Sequence, residues 1–554
     1  MNKIKIIAIL CLALANYGCD TDEFLTERNP NALDPALFWQ NTIQVEQGLS
    51  GAYGVLQFNG VMGPAGAVSL AVRSDVGRPN NWEVNARFLQ TLAFNDNSPV
   101  VVAKWENVYE GVFRTNQVLE NLDAVEDEER RTVIEAEARF LRGLYYYLLY
   151  HGYNEGSVIL HTTVPKTLED LNKPLAPAEE VFQVILEDLE FAEMHLPRTW
   201  DRSNQGRATW GAAAAMLGKL WINEREYVTA REYFKAIIDS DLYALAEEPG
   251  WNFDEDHEHN SESIFEVAFS SSLKPGNAWQ ATDGPTGSEG TRRPFSLGTI
   301  QGGGFRVIMP SYWVTMLYKS DSMDVTDDRY NATDENGDPV EFVYSLRTSV
   351  SIALADDTGS TLYRRSSDQG GNYNNGEASY VKKGLNWWLA REREQEQNSG
   401  INERMIRLAD IYLLYAETLL QTGGSYTEAL RYVNEIRDRG GAIELRVADY
   451  DANSLMEHIM WVERPIELMF EGHDMRWEDL RRWGRIKEQY ERLAAMRFVM
   501  EGKNLRWYEE GDNESSVLQE FIEAAEAYNP ALHDYFPIPA TERRTNPNFD
   551  NSGN

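Results

Sequence analysis

The sequence predicts a mainly α protein, a frame of helical hairpins interrupted by one large insertion of irregular loops and short strands. Three observations predict it. Residues 404–441, RMIRLADIYLLYAETLLQTGGSYTEALRYVNEIRDRGG, read as two helices back to back. Residues 208–240 repeat that arrangement earlier in the chain. Between the two, residues 241–403 lose all sustained helical periodicity and turn rich in Gly, Asn, Ser, Asp and aromatic side chains.

The hairpin at 404–441 sets the pattern. Leu408, Ile411, Tyr412, Tyr415 and Leu419 recur at helical spacing, and small Ala409 and Ala416 allow a neighbouring helix to come close. Gly423 and Gly424 stop the first helix. Ser425 opens the second, with Glu428 at capping-box spacing and Ala429, Leu430, Val433 and Ile436 on one side. Arg437 and Arg439 suit the last turn of that helix, and Gly440–Gly441 end it. In the earlier hairpin, Trp210, Leu217, Gly218, Tyr227, Ala230 and Phe234 loosely echo the tetratricopeptide pattern of two helices in about 34 residues, as a degenerate repeat. A helix pair buries only one side of each member, so such a tetratricopeptide-like frame needs further helices around it.

Taken from the N-terminus, residues 1–18 read as a signal peptide. Lys3 and Lys5 form its basic end, and Ile6–Ala15 is too short an apolar stretch to span a bilayer. Gly18-Cys19 resembles a bacterial lipobox, with Cys19 as the lipidated first residue of the mature chain. Residues 19–42 are then a tether opening with Asp20, Asp22 and Glu23, and residues 43–554 form a single domain. Its frame is expected over 43–244 and 404–530, its insertion over about 245–403, and an extended tail over 531–554. Helices are expected at 43–56, 100–122, 132–150, 178–194, 454–500 and 515–527, with an irregular, glycine- and proline-rich stretch at 57–99.

Charge and cysteine exclude whole classes of function. With 52 basic and 88 acidic residues, the formal net charge is −36, which disfavours nucleic acid and anionic lipid headgroups as partners. The two cysteines, Cys11 and Cys19, lie at the N-terminus, so the folded body has no disulfide and no thiolate metal site. There is no GxSxG, no phosphate loop and no HExxH, and no cofactor is called for. In DEDHEHN, His257 and His259 lack a third ligand at suitable spacing, and DENGD at 334–338 reads as a turn rather than a calcium loop.

The run ERPIELMFEGHDMRWEDLRRWGR at 463–485 places Ile466, Met469, Phe470, Trp477, Leu480 and Trp483 on a buried stripe. Its charges, Arg464, Glu467, Glu471, Arg476, Asp479, Arg481 and Arg482, are spaced to pair across helix faces at i, i+3 or i, i+4. This run, the helix EAEARFLRGLYYYLL at 135–149, EEVFQVILEDLEFAEMHLP at 179–197, TDDRY at 326–330, the two hairpins, Cys19 and the tail DYFPIPATERRTNPN resemble, in order and spacing, the SusD/RagB family of nutrient-binding lipoproteins. The resemblance implies a non-catalytic, SusD-like fold on the outer membrane, lipid-anchored and exposed at the cell surface. It also implies partnership with a SusC-like TonB-dependent transporter, to which oligosaccharide is delivered.

Sugars offer apolar faces edged by hydroxyls, so a site for them needs exposed aromatic rings among amides, carboxylates and guanidinium groups. Two irregular regions supply these: Arg73, Asp75, Arg78, Asn80, Asn81 and Trp82 in the first, and Trp279, Arg292, Arg293 and Phe305 in the second. The blander reading of each Trp is a buried loop anchor. Two competing functions are a secreted helical glycoside hydrolase or polysaccharide lyase, which needs only two placed carboxylates, and a peptide-binding adaptor, which the insertion and signal disfavour.

Overall fold

The computed structural model describes residues 38–63, 71–80, 82–273, 289–333, 336–390 and 392–549. Cys19, Asn81 and Trp279 lie outside them, as do the signal peptide and most of the tether.

The structure is mainly helical, with helix over 51% of the described residues. Helices α1 (Thr42–Gly54), α2 (Val84–Gln90), α3 (Pro99–Glu120), α4 (Glu128–Tyr150), α5 (Leu168–Leu171) and α6 (Ala178–His195) form the first part. The two expected hairpins come next as α7 (Trp210–Asn223) with α8 (Tyr227–Ile238), and α10 (Leu408–Gln421) with α11 (Tyr426–Arg439). Between them, within the insertion, lies α9 (Tyr312–Ser320). Ser425 caps as its spacing predicts, its Oγ accepting from the Glu428 amide, and Asp127 caps α4, which starts four residues earlier than expected, through the Arg130 amide. The box at Ser425 is only half built, because the Glu428 carboxylate accepts from Tyr415 Oη of the partner helix at 3.1 Å.

The hairpins are far apart in sequence but adjacent in space, α8 packing on α10. Small residues permit the close approach. Ala409 and Ala416 are fully buried, and a Cβ on Gly111 of α3 would stand 2.5 Å from the Tyr145 ring of α4.

The insertion begins with β2 (Ser263–Val267), which pairs antiparallel with β4 (Glu403–Arg407), the segment leading into α10. The start of the 404–441 stretch is therefore a strand rather than the first turn of a helix. Its residues Glu403–Arg407 are all buried, and strand pairing satisfies their amides where a helix N-terminus would leave four unpaired.

The region expected as helix at 454–500 is several pieces. These are α12 (Ala452–His458), a wide π-type turn at Ile459–Glu463, α13 (Arg464–Leu468), α14 (Met475–Trp483) and α15 (Ile486–Ala495). The hairpin of β5 (Phe498–Glu501) and β6 (Asn504–Trp507) comes after them. Left-handed backbone at Phe470, Gly472 and Asp474 breaks the run between α13 and α14. The tail is not wholly extended, since it carries α16 (Ala540–Thr545).

Apart from Arg485, which pairs at the surface with Glu488 and Glu457, the charges of 463–485 are not exposed surface pairs. Arg464 is 1% exposed and reaches Asp410 at 2.9 Å and Asp479 at 2.6 Å. Arg482 holds Glu417 of α10 at 2.9 Å, and Glu467 accepts from Arg407 at 2.7 Å and from Arg439. Arg482–Asp479 keeps the expected i, i+3 spacing, and the remaining links of these buried arginines join separate elements. A buried charge must be neutralised by its neighbours, and these partners come from wherever the fold brings them.

Candidate functional site

The site is built on a two-stranded ribbon. Strand β1 (Gly77–Pro79) runs antiparallel to β3 (Ile308–Pro310), with Arg78 opposite Met309. The pairing continues one step, the Asn80 amide donating to the Val307 carbonyl at 2.9 Å. Past the end of this ribbon the chain presents Trp82 from one strand and Phe305 from the other. Their rings meet edge to face, centroids 6.0 Å apart and planes at 62°. Trp82 is 48% exposed and Phe305 47% exposed, so much of both rings faces solvent. Phe295, buried, braces Phe305 from below at 4.7 Å in a second edge-to-face contact.

The loop that carries Phe305 is stiff. The Phe305 amide donates to the Phe295 carbonyl, Arg306 to Gly298 and Val307 to Ser296, all within 2.9 Å. Gly304 approaches the Gly298 backbone too closely to admit a side chain. Arg306 adopts a left-handed backbone (φ +44°), a strained conformation for a residue with a Cβ. It is fixed there through its guanidinium, which donates to Glu377 at 2.6 Å. Glu377 in turn accepts from Tyr380 Oη at 2.6 Å.

A third segment, 372–377, closes one side. Gln301 donates to Asn372, and Arg78 donates to the Gly376 carbonyl at 2.5 Å while its guanidinium stacks 4.5 Å over Tyr312. Asn374 and Asn375 are exposed on the same segment. The arrangement joins an exposed aromatic ledge to an amide-rich rim.

The ten residues expected to contact ligand divide sharply. Trp82 and Phe305, drawn from different regions of the sequence, come together. Asn80 and Arg78 lie beneath them and hold the ribbon. Arg292 is half-buried, its guanidinium 5.3 Å from the Phe295 ring, and desolvation lowers its pKa to about 10.

Arg73, Asp75 and Arg293 correct the expectation, because they belong to the interior. Arg73 is fully buried between Phe536 and Trp477, at 4.0 and 4.3 Å from their rings, and donates to the His533 carbonyl at 2.6 Å. Both oxygens of Asp75 accept from Arg476 at 2.8 Å, and Gln489 adds a third bond at 2.7 Å. Arg293 is 3% exposed and pairs its charge with Glu403. All three pin the irregular segments to distant parts of the chain.

Sequence reasoning missed Phe295, Arg306, Glu377 and the asparagines of 372–375. The glycine clusters at 302–304 and 370–371 were the available signal, for they adjoin the site, with Thr299 Oγ1 donating to the Gly370 carbonyl at 2.6 Å. In DEDHEHN the two histidines go to separate carboxylates, His257 to Asp254 and His259 to Glu266, each at 2.9 Å.

Comparison with known proteins places most of the chain. Residues 261–552 match the model described as the SusD family, and residues 23–222 match one described as starch-binding associating with outer membrane. SusD-like protein P25 of Formosa agariphila is 26% identical over 528 residues, covering 91% of this chain and 95% of that protein. A SusD superfamily crystal structure from Bacteroides vulgatus aligns with a TM-score of 0.70 at 23% identity, over 92% of this chain and 98% of the other. A laminarin-binding SusD-like protein aligns at 0.64 and 22%, over 91% and 98%.

Proposed function

Since the chain belongs to the SusD family, we propose that it captures oligosaccharide at the outer cell surface and hands it to a SusC-like TonB-dependent transporter. Members of the family are non-catalytic binding proteins, and this chain is one of them. Its outer-membrane association accords with the match over residues 23–222. Lipidation at Cys19 provides the anchor, since acyl chains contribute ~0.8 kcal/mol per buried methylene.

The observation that carries this reading is the Trp82–Phe305 pair, two exposed rings held by a stiff ribbon. A sugar ring stacks its C–H face on such a ledge, while Asn374 and Asn375 stand ready for its hydroxyls. Because the ledge is ordered before ligand arrives, little conformational entropy is lost on binding. Two structural neighbours named for glycan binding, the laminarin-binding protein and a surface glycan-binding protein A from Bacteroides fluxus, support a saccharide ligand.

The test is titration of the soluble chain, with Cys19 replaced, against a panel of polysaccharides by calorimetry. Binding without release of shortened products is expected. If no glycan binds, the proposal fails.

A further inference from the structure

A hollow of the described surface lies on the helical frame, away from the aromatic ledge. It is a groove of about 670 Å³ between α3, the strap 159–172 that ends in α5, and α16. Its wall on α3 includes Trp105, Tyr109 and Phe113, and its rim on α5 carries Leu168 and Leu171. Phe113 is 38% exposed, Leu168 75% and Leu171 52%, a concentration of apolar surface that soluble proteins normally cover.

The groove is rigidly framed. Tyr109 Oη donates to the Ile159 carbonyl at 2.7 Å, and Asn116 Nδ2 to the His161 carbonyl at 2.8 Å, pinning the strap to α3. From the other side, Asn546 and Asn548 donate to the carbonyls of Lys173 and Asn172 at 2.8 and 2.6 Å, which holds the tail with α16 against the strap. His161 presents a buried Nδ1 that no protein group satisfies, and desolvation holds its pKa down at about 4, so the ring is neutral.

Charge selects the occupant. The charged residues of the lining are Glu106, Glu110 and Glu542, all acidic. A second copy of a chain with formal charge −36 is repelled, and so is an anionic membrane. The chain's own tether, with Asp20, Asp22, Glu23, Glu27 and Asp34 against Arg28, carries the wrong sign. We propose that this groove docks a segment of a partner protein that presents apolar side chains flanked by Lys or Arg. Phe113, Leu168 and Leu171 receive the apolar side chains, and Glu106 and Glu542 the cations. This surface is separate from the saccharide ledge and does not depend on its function.

The test uses the soluble chain from residue 20 onward and two labelled amphipathic peptides, one of Leu and Lys and one of Leu and Glu, monitored by fluorescence anisotropy. The Leu/Lys peptide is expected to bind, and the Leu/Glu peptide not to. Leu168→Ser with Leu171→Ser, both at exposed positions, is expected to weaken binding about tenfold, as is Glu106→Lys, while Trp82→Ala leaves it unchanged. Equal binding of the Leu/Lys peptide to all variants, or none to the parent chain, overturns the proposal. In cells, a photoreactive phenylalanine at position 168 is expected to cross-link a basic, leucine-rich stretch of another envelope protein. Cross-links confined to residues 19–37 of this chain or to a second copy overturn it equally.

Discussion

Arg407 of β4 and Glu262, which immediately precedes β2, form an ion pair of 2.7 Å in the interior, both side chains at most 2% exposed. Arg439 of α11 reaches the other oxygen of Glu262 at 2.6 Å. One carboxylate therefore fastens the irregular insertion to both the strand before and the last turn of the second hairpin. Removing one member of such a group strands the other charges in a medium that cannot solvate them.

Glu262→Ala is expected to destabilise the chain by about 3–5 kcal/mol, read as a lower urea midpoint. Asp239→Ala, which breaks the Lys235–Asp239 pair on a surface more than half exposed, is expected to cost under ~1 kcal/mol. Equal losses would mean that burial does not govern these pairs.

Acid should dissolve the same network. Burial alone raises the Glu262 pKa, but Arg439 and Arg407 hold it down to about 2. Burial likewise opposes Glu266 and Asp410, yet their partners, His259 and Arg404 for the one and Lys219 and Arg464 for the other, bring both to about 2. A folded-state pKa below the unfolded value gives stability that is complete above about pH 4.5 and lost as pH falls towards 2. Urea midpoints measured from pH 6 to pH 2.5 should fall most steeply below 4.5.

Glu520 runs the opposite way. Burial lifts its carboxyl to about 7, against the pull of Arg78. Between pH 4.5 and 7 the folded chain thus binds a proton that the unfolded chain releases, so this group makes stability decline as pH rises through that window. Glu520→Gln is expected to flatten that part of the profile, checked by denaturation at pH 5 and pH 8.

At the ledge, Trp82→Ala is expected to weaken glycan binding by about 2 kcal/mol, near 30-fold, with thermal stability unchanged because the ring is half exposed. Phe305→Ala should behave alike. The double variant should lose less than the sum, since the rings touch.

In the frame, Gly111→Ala is expected to cost about 1–3 kcal/mol and to lower the melting temperature, because its new Cβ meets the Tyr145 ring.

How far the sequence speaks depends on range. Leu408, Ile411 and Leu419, or Val181, Ile185 and Leu189, announce their helices because the cause lies within one element, and the structure buries all of them. Residues 404–407 read as helix by continuity with α10, since nothing nearby shows that β2 waits as their partner. Arg73, Asp75 and Arg293 have the side chains of a sugar site, but their role is settled by His533, Arg476 and Glu403, each remote in sequence. Trp82 and Phe305 were legible one at a time as aromatics in irregular chain. Their pairing was not, because it depends on β1 finding β3.

That dependence on range has a temporal side. The ribbon under Trp82 needs residues 308–310, and the Asp75 beside it needs Arg476 and Gln489. A chain cut short before residue 308 has the tryptophan but no strand to aim it, and one cut before residue 476 lacks the arginine that holds Asp75. Long-range closures of this kind form late and slowly. Sugar recognition is thus a property of the finished molecule, absent from any partly built chain.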